Sequence, residues 1–369
     1  MRRRLIWLTA CLLTFFGVAG CAVPAPALPV DALQLVTKLN AAVSARDQTT
    51  FLALTDGETN VGIRAWVWTN LGLLEQAVFK AGESGSLWVD WRLPGDTQAV
   101  SSQVGSIGCA DNGCQVADLG PQSGAAAPIW LVQPLQVVGD APATVLAATS
   151  AAQDAEGWAS AAKAARQAVA GADLGDLAAS WDGSLVVELP QDASAFAQLM
   201  GLPSAADYTS TGAVTWVERM SDSSQGPVAR IIVNPQTTAT LTTEQRTLLL
   251  THEGVHVATT AVPVADGATW VSEGMAESVA VTASPGTAAD EQALAKAACD
   301  GVLTPPSDAA FGGTDAAAQD TAYAVSQVLV GLLRSHLGSE AVTAIDQLWQ
   351  GQAPSNVDLS TWSQAWCAA

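Results

Sequence analysis

Histidine is nearly missing from this chain, with three in 369 residues, and tyrosine is scarcer still, with two. Basic residues are few as well: 15 Lys and Arg stand against 35 Asp and Glu, for a net charge of -20. Such a surface repels phosphate backbones, which excludes nucleic acid as a partner class. Charge of either sign is sparse, at 14% of residues, while 49% are hydrophobic, so the chain is no disordered acidic polymer. Apart from an apolar run at the start, no stretch reads as long enough to cross a membrane. The length suits two domains of ordinary size and is too great for one small core.

Two of the three histidines stand four residues apart in "THEGVHVATT", Thr251 to Thr260, with Glu253 just after the first. Four residues is about one helical turn, so on a helix His252 and His256 share a face. That is how an H-E-x-x-H segment presents two imidazoles to one metal ion. With so little histidine, a chance match has odds on the order of one in a thousand by composition. The segment preceding it, "TTEQRTLLL", puts Thr242 and Gln245 in capping-box spacing and supplies an apolar body at Leu248 and Leu249. The histidines therefore fall inside a predicted helix.

The chain opens on "MRRRLIWLTACLLTFFGVAGC". Three arginines, a short apolar run from Leu5 to Val18 and small residues before Cys21 read as an export signal over residues 1–20. "VAGC" resembles the bacterial lipobox, in which the cysteine is lipidated and begins the mature chain. That resemblance implies a protein lipid-anchored at Cys21 on the extracytoplasmic face of the cell membrane. A plain secretory signal or a membrane anchor with an incidental Cys is the alternative. The Pro-rich segment 21–30 then reads as a tether. With Cys11 in the signal, Cys109, Cys114, Cys299 and Cys367 remain. Four cysteines in an exported protein suggest two disulfides, and three pairings are possible. Cys109 and Cys114 enclose the turn-like "ADNG"; Cys299 with Cys367 would tie the C-terminus back to an earlier loop. The spacings fit a four-thiolate metal site poorly.

Between the tether and Gly139 the pattern reads as two helices, Asp31 to Arg46 and Thr49 to Leu54, then an antiparallel sheet from "LWVDWRL", "AVSSQVGSIGC" and "PIWLVQPLQVV". Residues 31–139 thus form an expected small α+β domain, weakly similar to the cone-shaped nuclear-transport-factor-like superfamily. Its tryptophans read as core. Residues 140–369 read as a second α+β domain with a mixed sheet. Its strands are "ATVLAA", "SLVVELP", "TGAVTWVER" and "ARIIVNP". Helices are expected from Gln153 to Ala170 and behind Asp192, before the histidine helix.

A metal held by two histidines needs a third protein donor. "TWVSEGMAESVA", Thr269 to Ala280, offers Glu273 on what reads as the next helix. Here the chain resembles the gluzincin metallopeptidases, which pair HExxH with a Glu inside "W-x-x-E-G-x-A". Trp270, Glu273, Gly274 and Ala276 stand in that register. It is closer still to the peptidase MA-like proteins, in which a second acid follows at the position of Glu277. The resemblance implies a zincin-like domain that hydrolyses a peptide or protein substrate. One Zn²⁺ per chain would sit on His252, His256 and Glu273, with Glu253 as general base passing a proton to the leaving amine. Glu277 would hydrogen-bond a metal-bound histidine and fix its tautomer; a solvated helix charge is the alternative. Tyr323, opening "AYAVSQVLVGLLRSHLG", would be the oxyanion donor, with a core tyrosine as the alternative. His336 reads as a partner for a helix C-terminus. Gly254 departs from the pattern, since an apolar residue usually follows the HE pair, and it suggests a relaxed site or a metal-dependent helix. "TGAVTW" lacks the acid that anchors an amine in zinc aminopeptidases, so their specificity is not implied. The reading from another class is a non-catalytic lipoprotein that uses this scaffold to bind a partner.

Overall fold

The structure is a computed structural model and describes residues 30–57, 61–111, 113–222, 226–283, 288–312 and 315–369. The signal segment, Cys21 and the tether up to residue 29 lie outside them.

The chain folds as α+β. Its front region runs α1 (Val30–Ala45), α2 (Gln48–Leu54), α3 (Val61–Leu71), β1 (Gln76–Ala81), β2 (Ser86–Arg92), β3 (Val100–Ala110) and β4 (Gly113–Leu119). The four strands make an antiparallel sheet in sequence order, curled over α1. Leu35, Val36 and Leu39 of α1 are buried against it, as their helical spacing requires. Trp91 and Trp130 meet edge to face in the core, 6.0 Å between ring centres. Cys109 and Cys114 are cross-strand partners at the β3–β4 hairpin and are disulfide-bonded.

Here the order departs from expectation. "PIWLVQPLQVV" is not one strand of the front sheet. It opens with a helical turn, α4 (Ile129–Val132), and its remainder, β5 (Leu135–Val138), pairs with β6 (Ala143–Ala148) in the second sheet. Pro134 sits between the two pieces and has no N–H for a continuous ladder. The sequence reading also missed α3 and β1.

Beyond β6 come α5 (Ala152–Gly171), β7 (Leu185–Leu189), α6 (Ala193–Leu199), β8 (Ala213–Val217) and β9 (Ala229–Val233). The second sheet has order β5-β6-β7-β9-β8, with β6, β7 and β9 parallel and antiparallel strands at both edges. Its central strands are buried on both faces, which explains why they are mostly apolar. Val145, Val187, Ile231 and Val233 face α5 and the histidine helix, whereas Leu146, Val186 and Ile232 join the core of the front region. The two regions therefore share one apolar layer.

The rest is helical: α7 (Pro235–Thr238), α8 (Thr243–Thr259), α9 (Thr269–Ala283), α10 (Ala288–Ala297), α11 (Ala316–Leu337), α12 (Ala341–Trp349) and α13 (Leu359–Ala368). The segment Ala316–Trp349 is long and apolar enough to cross a membrane, which amends the expectation that no later stretch is. Here its α11 part is a core helix with Leu329, Val330 and Leu333 buried against α9. A disulfide joins Cys299 to Cys367 and pins α13 beside α10.

Candidate metal centre

Helix α8 is built to start where it does. Thr242 accepts from the Gln245 N–H, and the Gln245 side chain accepts from the Thr242 N–H. This reciprocal cap contributes about 1 kcal/mol. From it the helix runs under the second sheet, and every residue from Leu248 to Thr259 is buried. Gly254 is what allows the burial. A Cβ there would lie 3.0 Å from Val169 Cγ2 of α5 and 3.6 Å from Leu185 Cδ1 of β7. The expectation of a relaxed site is thus replaced by a tight one: the glycine admits α5. Gly274 does the same on α9, where a Cβ would stand 2.4 Å from the carbonyl oxygen of Ser326 on α11. A side chain at that position would push the two helices apart.

With α8 seated against α5 and α9 against α11, the two helices pack on each other with polar groups inward. His252 Nε2 and His256 Nε2 are 3.1 Å apart. Glu273 Oε2 lies 3.2 Å from the first and 3.3 Å from the second. All three residues are buried, and they are a group that can hold a metal ion. Three donors at about 2.0–2.1 Å from a tetrahedral ion would be separated by about 3.3 Å, so the triangle has the size that zinc requires. Its chemistry fits too. Glu273 Oε2 is buried, and its contacts with the ring nitrogens lack hydrogen-bond geometry. An electron-rich triangle of this kind calls for a cation at its centre.

The outer ring nitrogens face partners of their own. His252 Nδ1 lies 3.1 Å from Glu277 Oε1, and His256 Nδ1 lies 3.5 Å from Ser272 Oγ. Glu277 is fully buried, which rules out a solvated helix charge. Burial drives the Glu273 carboxyl up, but the two imidazoles outweigh it and hold the group at about 2. For His252, burial pushes the pKa down; Glu273 and Glu277 more than offset this and raise it well above the usual histidine range. Glu253 goes the other way from Glu273. Burial raises it, and the pull of His252, His256 and Thr215 does not reverse the shift.

Two neighbours carry no signal in the sequence. Thr215 of β8 donates to Glu253 Oε2 at 2.7 Å, leaving Oε1 without a hydrogen-bond partner. Only the buried, middle-of-strand position of a hydroxyl residue hints at this. Glu291 of α10 is wholly buried with neither oxygen hydrogen-bonded. Burial, with the charge of Glu277 second, pushes it up to about 9. Nothing in "AADEQALAKA" marks that glutamate among ordinary helix acids.

Tyr323 lies next to the site. Its ring stands edge-on to His252, 5.9 Å between ring centres, and edge-on to Phe311. It is fully buried and does not line the cleft from which His256 is reached. His252, Glu253 and Glu273 are likewise buried outside the cleft lining, and His256 is the member of the site that borders it. His336, in the last turn of α11, stacks on Trp362 at 4.5 Å and takes no part in the site.

The cleft has a volume of about 860 Å³ and is lined by His256, Ser272 and Thr215 together with apolar residues of both regions. Comparison of the chain with protein-family models, with curated proteins and with solved structures gives no match. The functional reading is therefore carried by the geometry of the site.

Proposed function

We propose that the chain is a zinc-dependent metallopeptidase. The observation that carries this reading is the buried triangle of His252, His256 and Glu273, with the free Oε1 of Glu253 on the same helix and a cleft opening beside it. His252, His256 and Glu273 would hold the ion. Zinc there supplies Lewis acidity, which brings the pKa of a water molecule toward neutrality.

The chain's own residues do the rest. Thr215 holds one oxygen of Glu253, so the other is fixed in direction. That carboxylate oxygen is the proton acceptor. Oε1 takes a proton as the water oxygen adds to the substrate carbonyl carbon. It then delivers that proton to the amide nitrogen as the C–N bond breaks, leaving a carboxylic acid and an amine. Glu277 and Ser272 keep the two imidazoles turned so that Nε2 points inward.

The reading is tested with Glu253→Gln. Zinc content should stay near one per chain, while hydrolysis of a fluorogenic peptide should fall roughly 10²-fold or more. Unchanged hydrolysis would remove the peptidase reading. One observation favours a second reading, a metal-binding scaffold without turnover: among the described residues no tyrosine lines the cleft. Two disulfides suit an oxidising compartment. With the lipobox-like start, they support a lipid-anchored protein outside the cytoplasm. Cys21→Ser should leave the membrane fraction or stay unprocessed, and unchanged fractionation would contradict the anchor.

A further inference from the structure

The front region has no role in the chemistry above, yet it does not stand apart from the cleft. Strand β8 is the last strand of the second sheet, and its extension past Val217 is handed to the front sheet. The Ser101 N–H donates to the Arg219 carbonyl at 2.8 Å, and the Ser221 N–H donates to the Ala99 carbonyl at 3.1 Å. The joint is locked from inside. Arg230 of β9 donates to Asp96 of the front region at 2.8 Å and to Glu218 at 3.2 Å, with its guanidinium over the Trp91 ring. A wall formed by Trp88 and Gln103 of the front sheet therefore stands at a fixed place across the cleft from Val262 and Trp349.

The charges in that cleft are few. Glu218 lines it, but its carboxylate is already bound by Arg230. Arg219 also lines it, exposed, with its guanidinium 4.6 Å from the centre of the Trp88 ring, and it forms no ion pair among the described residues. Stacking on an indole restricts the side chain and leaves the outer N–H groups of the guanidinium for another acceptor. In a protein of charge -20 with only 15 basic residues, a cleft cation without an ion pair among the described residues stands out. Thr215, which holds Glu253, marks where on β8 the reaction takes place. Four extended residues further along, at about 3.3 Å each, Arg219 is about 13 Å from that point.

Resting on the metallopeptidase reading, we propose that the front region is the second wall of the substrate cleft. The cleft takes an extended, apolar peptide segment that carries a carboxylate about four residues from the bond that is cut, where Arg219 binds it. The apolar side chains lie between Trp88 and Val217 on one side and Val262 and Trp349 on the other. The carboxylate comes from an Asp or Glu side chain or from the peptide's own C-terminus.

The test is equilibrium binding of fluorescent peptides to the full-length Glu253→Gln protein loaded with zinc. It reads occupancy without turnover. The peptides share one apolar core and carry Asp, Asn or Lys four residues to either side of its centre, and a further pair ends at that distance in a free acid or an amide. The Asp peptide should bind roughly 3- to 10-fold more tightly than the Asn peptide and the Lys peptide more weakly than both, as for a partly exposed charge-assisted pair. A response to the free-acid end alone would assign the carboxylate to a chain terminus. Adding Arg219→Gln, an exposed change that leaves the joint intact, should abolish the Asp-to-Asn difference. Adding Trp88→Ala should weaken all the peptides. Equal binding of acid and amide forms, or a difference that survives Arg219→Gln, would overturn the proposal even where zinc and hydrolysis are as expected. A wild-type protein without zinc or hydrolysis would instead remove the peptidase reading, and the same peptides on that protein would still judge the cleft.

Discussion

Two clusters of buried ionisable groups sit on this scaffold, one at each end of the second sheet's chemistry. Around Arg230, one guanidinium meets Asp96 at 2.8 Å, Glu218 at 3.2 Å and Glu188 at 4.0 Å. Around Glu273, two imidazoles and a carboxylate meet at 3.1–3.3 Å with no Lys or Arg among them. The first cluster supplies its own cation, although Glu188 Oε1 and Arg230 Nη1 find no hydrogen-bond partner. The second turns two ring nitrogens and a carboxylate oxygen toward one point, where Glu273 Oε2 has no hydrogen-bond partner. Burial alone therefore does not mark a functional site; what marks it is three ligand atoms converging at the spacing a metal ion needs.

Breaking the Arg230 cluster should produce the largest effect on stability. Arg230→Ala leaves three acids buried without a counter-charge and should destabilise by about 3–5 kcal/mol in chemical denaturation. Added zinc should not restore it.

The same cluster sharpens the contrast through pH. One guanidinium cannot balance three acids, and burial, with the charge of Glu218 second, pushes Glu188 up to about 8. A carboxyl raised from 4.5 to about 8 on folding contributes its full stability below pH 4.5, and that contribution is lost as pH rises toward 8. Glu291, raised to about 9, acts in the same direction. Glu273, held at about 2, affects stability only in acid, where its contribution is lost as pH falls from 4.5 toward 2. The melting temperature of chelator-treated protein should therefore fall between pH 5 and pH 8, both pH values being about the edges of the Glu188 window. Glu188→Gln should flatten that fall, and a melting temperature rising over the window would contradict the assignment.

Gly274→Ala tests the close approach that builds the metal side. Its Cβ meets a backbone carbonyl that cannot rotate away, so a loss of about 1–3 kcal/mol and weakened zinc affinity are expected. Denaturation and zinc titration would show both. The smallest effect is expected for Tyr323→Phe, which keeps the ring that packs on His252. Zinc content should not change, and turnover should change less than about 3-fold, well below the loss of an oxyanion donor. A loss of 10²-fold in turnover would return the hydroxyl to the chemistry.

Much of the metal cluster was legible because helical spacing is local. His252 and His256 share a face on any helix, the Thr242–Gln245 cap fixes where that helix starts, and Trp270, Glu273 and Gly274 form a register of their own. The cysteine pairs were legible from turn chemistry and chain economy. What escaped depends on partners distant in sequence. Arg230 and Asp96 are 134 residues apart, and no pattern in "ARIIVNP" announces three acids around its arginine. Strand β5 looks like any other short strand until its neighbour is known. Helix α3 hid because "VGIRAWVWTNL" spreads its apolar residues around the whole helix. Tyr323 shows a different limit: a resemblance gives the position of a residue along the chain, not what its side chain meets in the fold.

The central claim is that His252, His256 and Glu273 together hold one zinc ion. Plasma-emission measurement of metal in the purified wild type beside His256→Ala tests it most directly. The account predicts about one zinc per wild-type chain and almost none in the variant, because two remaining donors cannot retain the ion. Wild-type protein that takes up no zinc after incubation with excess metal, or a variant that keeps a full equivalent, would contradict it.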